Sequence, residues 1–351
     1  MRDAACDRRH PAAPGYGGIP VSGRSAGLLA GLGAVVAMLF VTSLLTGPAE
    51  LPWLDELRAL FGRGDPLLVI VMQEIRLPRA LLAVLLGASL GLAGAAMQGF
   101  LRNPLAEPGL IGTSASAALG AVLAIQTGLA TAAPALFMAA PLAGAFLSFV
   151  LILLLAGNRG GAMPLILAGI AISALAGAMT SLVLNLSPNP FAANEIIFWM
   201  MGSLADRSMA HVWMVLPFFC LGTVLILATR RGLESLTLGE EVAATMGISL
   251  PRLRLMLLAG VVALIGSVTA VAGAVGFVGL VVPHLLRRSV GASPARLLPA
   301  SALGGAAVIL AADIAARVIA PGRDLKLGVL TALVGAPFFF HLIWRLRREA
   351  V

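Results

Sequence analysis

The stretch PGLIGTSASAALGAVLAIQTGLATAAPALFMAAPLAGAFLSFVLILLLAGN, residues 108–158, runs for 51 residues without a charged side chain. One bilayer crossing takes roughly 20 apolar residues, so the stretch holds two. Backbone amides in hydrocarbon find no water to bond, and the stretch lacks the period-two alternation of a barrel strand, which leaves helices that satisfy their own amides. The same reading extends outward: residues 25–49, 80–101 and 160–194 are charge-free over 25, 22 and 35 positions. With 59% hydrophobic and 11% charged residues among 351, the chain reads as an all-α, polytopic integral membrane protein.

Polar breaks and Gly/Pro punctuation place ten transmembrane helices near 27–45, 80–99, 108–126, 135–156, 163–186, 211–229, 254–272, 277–290, 297–319 and 326–344. Residues 255–286 have only 32 charge-free positions for two crossings turned around Gly273 and Gly276, so one of these is short. Residues 1–26 form a polar tail, and the apolar run after it exceeds the 7 to 15 residues of a signal-peptide core, which predicts a retained first span. An even count puts the N- and C-termini on the cytoplasmic side, and 16 of the 24 Lys and Arg residues then fall in inside segments. Charge of +8 therefore reports topology and is no sign of nucleic acid. Between spans five and six, residues 187–211 suit a short re-entrant or interfacial helix.

No phosphate-cradling Gly-x4-Gly-Lys-Ser/Thr occurs, and the single lysine, Lys326, is followed by Leu. Nucleotide hydrolysis must come from another chain, and this one is not itself an enzyme. Cys6 and Cys220 offer neither a disulfide nor a metal spacing. In the cytoplasmic segment 230–254, Thr237-Leu-Gly-Glu240 has the form of a capping box. Val242, Ala243 and Met246 make a small apolar face, and Gly247 suits a C-cap. That segment is either an ordinary connector or a knob for a groove on a partner. In the fifth span Ser173, Gly177, Thr180, Ser181 and Asn185 fall along a small and polar stripe, which suits interhelical packing or a passage wall. Asp313 and Arg317, four apart and acid first, can pair on one helical face. His284, after Pro283, reads as a structural histidine.

Four stretches taken together carry a resemblance: Ile75-Arg-Leu-Pro-Arg79, Asn103-Pro-Leu-Ala-Glu-Pro-Gly-Leu-Ile-Gly112, Leu238-Gly-Glu-Glu-Val-Ala-Ala-Thr-Met-Gly247 and Gly276-Phe-Val-Gly-Leu-Val-Val-Pro-His284. They resemble the permeases for iron siderophores, haem and vitamin B12 in type II ATP-binding-cassette (ABC) importers, from about residue 73 to the C-terminus. The resemblance implies a homodimer in the bacterial inner membrane, surrounded by lipid and served by two ABC ATPase subunits and an external substrate-binding protein. ATP and Mg would sit on the ATPase, with no cofactor on this chain. It makes Leu238, Gly239, Glu240, Ala243, Met246 and Gly247 the segment that couples to the ATPase. It matches Arg76, Arg79 and Arg317 to arginines that receive acidic residues of the binding protein, and it favours the fifth-span stripe as passage wall. The implied cargo is an iron chelate, with a corrinoid as the alternative. A secondary transporter driven by an ion gradient is the rival class. It calls for an acidic residue in a span, where Asp313 is the candidate.

Overall fold

A computed structural model describes residues 23–47, 52–133, 137–157, 161–188, 190–320 and 324–349. Arg2, Cys6, Arg8 and Arg9 of the tail, the turn at Arg159, and Arg323 lie outside the described residues. Among the described residues the structure is helical throughout, with no strand.

The first helix, α1 (Gly23–Leu45), starts four residues before the expected first span at 27. A short amphipathic helix, α2 (Trp53–Leu60), follows. The next, α3 (Pro66–Phe100), is continuous over 35 residues. It begins well before the expected position 80, because Asp65 caps it by accepting the Leu67 N–H at 2.9 Å and Pro66 occupies its first turn. Its winding loosens into a π-helical segment, Val71–Arg76, before regular α-geometry resumes. Arg76 and Arg79 therefore project from the same helix, whose start near 80 is corrected to Pro66.

After a 3-10 turn at Pro108–Ile111 come α4 (Thr113–Gln126), α5 (Ala139–Ala156) and α6 (Ala162–Asn185). The expected interfacial helix is α7 (Pro190–Met200), followed by α8 (Met209–Ala228). Two short helices, α9 (Arg230–Leu236) and α10 (Glu240–Thr245), lead into α11 (Leu250–Ala272). The chain ends with α12 (Val278–Arg287), α13 (Pro294–Ile319) and α14 (Leu327–Glu349). Seven of these helices are long and apolar enough to cross a membrane, and α4, α12 and α14 stand at three further expected spans as shorter apolar helices. The short member of the 255–286 pair is α12, at ten residues.

Helices α3 and α11 form the middle of the bundle, with 89% and 78% of their apolar windows buried, against 11% for α1. Gly87 and Gly91 of α3 lie against Ser301, Gly305 and Ala306 of α13 so closely that a methyl group on either glycine would overlap a backbone carbonyl of α13. Gly94 meets Gly279 of α12 in the same way, and Gly120 and Gly144 do so between α4 and α5. Lipid tails are as apolar as leucine, so close backbone approach and dispersion hold such helices together where the hydrophobic effect cannot. Gly91→Ala is therefore expected to cost about 1–3 kcal/mol through overpacking. Gly33→Ala in α1, where an added carbon meets nothing within 4 Å, should be neutral. Thermal melting of the detergent-solubilised chain compares the two, and equal melting temperatures would refute the account.

Candidate functional site

The expected site residues gather at the two ends of the bundle and along α6. At the end predicted to be cytoplasmic, α9 stops at Leu236 and Thr237 remains in helical geometry as its C-cap. The Thr237 hydroxyl donates to the Glu234 carbonyl at 2.6 Å, and the expected capping box does not form. Gly239, at φ 110°, instead turns the chain so that α10 starts at Glu240. The other end of α10 follows the expectation. Gly247 adopts a left-handed φ of 82°, the Ile248 N–H bonds the Ala243 carbonyl at 3.1 Å, and the Gly247 N–H bonds Ala244 at 3.0 Å. This is a Schellman closure that only a residue without a Cβ enters freely.

The expected apolar face divides. Ala243 is fully buried, whereas Leu238, Val242 and Met246 stand 63%, 43% and 51% exposed on the far side. Glu240 reaches Arg102, at the end of α3, in a 3.6 Å ion pair. Glu234 accepts a 2.8 Å bond from Ser293, which begins α13. Glycine turns, buried Ala243 and these polar ties set α9 and α10 on the ends of α3 and α13, with an apolar patch left uncovered.

At the opposite end the three expected arginines converge, each engaged within the chain. Arg76 donates to Glu56 at 2.6 Å and to the Leu44 carbonyl at 2.8 Å, and it is 5% exposed. Arg79 donates to Asp313 at 2.9 Å, and Arg317 pairs with the other oxygen of the same carboxylate at 3.0 Å. Arg317 also donates to the Ser43 and Thr46 carbonyls at 2.9 and 2.7 Å and to the Ser43 hydroxyl at 2.7 Å, fastening α1 to α13. The spacing of Asp313 and Arg317 announced their pairing. The contributions of Arg79, 234 positions away, and of Glu56 had no local signal. An arriving carboxylate has to compete with Glu56 for Arg76 and with Asp313 for the other two.

A second cluster at this end joins loops. Ser203 donates to Asp324 at 3.0 Å, Lys326 pairs with the same carboxylate, and the Leu327 N–H bonds the Gly202 carbonyl at 2.9 Å. Burial alone would raise the Asp324 pKa, but bonds from Lys326 and Ser203 outweigh it and hold the carboxyl below its ordinary range. Lys326 also lies 5.4 Å from the ring centre of Phe198 in α7. These contacts tie the interfacial helix to the start of α14.

The α6 stripe separates into two faces. Thr180 is buried and Ser173 half-buried, while Gly177, Ser181 and Asn185 are exposed. Gly169 approaches the Leu110 carbonyl of the 3-10 turn so closely that a Cβ would overlap it, which fixes the inward face of α6. Gly177, Ser181 and Asn185, spaced four apart, line a face that no helix among the described residues covers. Between α4, α5 and α6 lies an apolar cleft of about 540 Å³ lined by Leu123, Leu147, Leu151, Leu175 and Met179 among others.

Glu107 and Gln98 make long-range bonds that no local pattern in the sequence signals. Glu107 accepts the Phe277 N–H at 2.8 Å, at the break between α11 and α12. Gln98 donates to the Leu280 carbonyl at 3.1 Å and accepts from Arg287 at 2.7 Å, which holds α12 against α3. Positions 98 and 107 flank the charge-bearing turn after α3, but their partners lie more than 160 residues away.

The model of the FecCD transport family matches residues 35–345. The hemin transport system permease protein of Yersinia pestis is 39% identical over 285 residues, covering 79% of this chain and 84% of that protein. The vitamin B12 import system permease protein of Vibrio cholerae is 38% identical over 328 residues, covering 93% and 94%. The ferric enterobactin transport system permease protein of Escherichia coli is 37% identical over 323 residues, covering 90% and 95%. Among solved structures, a metal-chelate type ABC transporter in an inward-facing conformation superposes with a TM-score of 0.80 at 31% identity, over 91% of this chain and 99% of that one.

Proposed function

The chain belongs to the FecCD transport family and is a permease subunit of an ABC importer; from that premise we propose that it carries an iron chelate, siderophore or haem, across the bacterial inner membrane. A corrinoid is the second reading, favoured by relatives that import vitamin B12. Two copies assemble with ten crossings each and both termini in the cytoplasm. The exposed stripe Gly177, Ser181 and Asn185 faces the passage between them, while Ser173 and Thr180 hold α6 in place. Small and hydroxyl side chains suit a wide, weakly binding route for a bulky cargo.

The observation that carries the mechanism is the uncovered patch of Leu238, Val242 and Met246 on a segment fixed at both ends by glycine turns. The ATPase, holding ATP and Mg, receives this patch with Glu240 beside it. Ala243, Gly239 and Gly247 keep its shape. Closure of two ATPases on ATP shifts the patches and changes the side to which the passage opens. At the outer end the binding protein presents carboxylates to Arg79 and Arg317, which retain some exposure, and to Arg76, which Glu56 holds in place beneath the surface.

Reconstitution tests the reading. Proteoliposomes holding the permease, its ATPase and its binding protein should accumulate haemin, ferric enterobactin or cyanocobalamin only with ATP and Mg. Uptake by the permease alone on a proton or sodium gradient would establish the rival class instead. Calorimetry on the binding protein with the same three compounds separates iron chelate from corrinoid.

A further inference from the structure

The connection between α3 and α4 is held at two places that lie far apart in the mechanism. Arg102, the first residue after the α3 C-cap and at a left-handed φ of 50°, makes the 3.6 Å ion pair with Glu240 at the first position of α10. Five residues later, Glu107 accepts the Phe277 N–H at 2.8 Å, and Gly276 lies beside the same carboxylate oxygen. Phe277 is itself left-handed, at φ 67°, and is the N-cap of α12.

That second attachment lies inside the bundle. Gly279 touches Gly94 of α3, six residues before the helix ends at Phe100, so α12 begins about 9 Å in from that end at 1.5 Å per residue. Residues 273–277 separate α11 from α12: the Gly273 N–H still closes α11 on the Thr269 carbonyl at 2.9 Å, and the Phe277 carbonyl accepts the Leu280 and Val281 N–H groups that open α12, whose first N–H groups need acceptors from elsewhere. Glu107 supplies an acceptor and a negative charge there. Between the two attachments the turn is short and internally bonded. The Asn103 N–H donates to the Gln98 carbonyl at 3.2 Å, the Leu105 N–H donates to the Asn103 side chain at 2.9 Å, and the Ala106 N–H donates to the Asn103 carbonyl at 3.2 Å.

We propose that residues 102–107 form a strut that carries displacement of the coupling segment to the broken helix inside the membrane, with Arg102 and Glu240 as its outer joint and Glu107 and Phe277 as its inner one. The proposal rests on the reading of α10 as the ATPase-coupling segment. Arg102, Glu240 and Glu107 are positioning residues and touch no cargo. Displacement of α10 pulls Arg102, the bonded turn moves as a piece, and Glu107 shifts the first turn of α12 against α3.

The test uses the assembled importer in proteoliposomes, with uptake and ATP hydrolysis measured in the same vesicles. The probe is whichever of haemin, ferric enterobactin and cyanocobalamin the unmodified importer accumulates. Arg102→Glu and Glu240→Arg should each lower uptake per ATP about three- to fivefold, as expected for a half-exposed pair. The exchanged pair R102E/E240R, in which the ion pair re-forms with its charges swapped, should lose clearly less than the product of its single variants. Glu107→Ala, which orphans the Phe277 N–H, should lower the ratio about tenfold. Glu107→Gln, which keeps an accepting oxygen, should stay within twofold. Adding Arg102→Glu to Glu107→Ala should cost nothing more, because one strut is already cut.

An exchanged pair as poor as the product of its single variants overturns the proposal, as do losses that multiply when both joints are cut. Should Glu107→Ala not be recovered from the membrane, the charge exchange decides alone, because its residues are half-exposed. ATP-independent uptake by the unmodified importer would instead bring down the reading of the function, and the strut with it. Additive losses in an importer that is ATP-driven bring down the strut only.

Discussion

Replacement of Asp313 by alanine is expected to destabilise the chain by about 3–5 kcal/mol, the usual cost of leaving buried charges without their partner. Asp313 is 1% exposed, and its two oxygens serve Arg79 and Arg317 separately. Removing it strands two guanidinium groups that then repel one another across the space it filled. Arg317 would keep the Ser43 and Thr46 carbonyls, so the loss should concentrate on the contact between α3 and α13. Asp313→Asn keeps the shape and loses the charge, and it should fall between wild type and alanine. Thermal unfolding in detergent measures both variants. A melting temperature for Asp313→Ala within about 2 °C of wild type would show that the triad contributes little.

The second large effect concerns the uncovered patch. Met246→Asp combined with Leu238→Asp should weaken association with the ATPase about 100-fold or more, because each places an unpaired charge where an interface would bury apolar side chains. Both side chains are more than half exposed in the free chain, so its melting temperature should not move. Co-purification and titration with the ATPase read the association. Unchanged affinity would remove Leu238 and Met246 from the coupling segment and leave them facing the headgroup region.

The helices were legible because the bilayer imposes one solution on apolar runs, and the 51-residue stretch alone announces it. Boundaries were less so where polar residues enter a helix. Asp65 and Pro66 are a good helix start, but Glu74, Arg76 and Arg79 masked it, since a charge in the middle of a helix reads as loop until its partners are known. Thr237 and Glu240 had the spacing of a capping box, and the deciding residue was Gly239, whose left-handed turn ended one helix before the other began. Pairings four apart on one helix could be read, as for Asp313 with Arg317. Pairings set by tertiary approach, such as Glu107 with Phe277, could not. The α6 stripe was visible as spacing, but which of its members face inward depends on where Gly169 lets the helix touch residue 110.

The bonds from Arg317 to the carbonyls of Ser43 and Thr46 bear on biosynthesis. Thr46 leaves the ribosome 271 residues before Arg317, so at about 5–20 residues per second it waits roughly 15–55 s for its donor. Through that interval α1, with little of its surface against the rest of the bundle, has the bond from Arg76 to the Leu44 carbonyl and its lipid contacts to hold it. The insertion machinery and nascent-chain length, more than local sequence, therefore set when the N-terminal segment becomes committed.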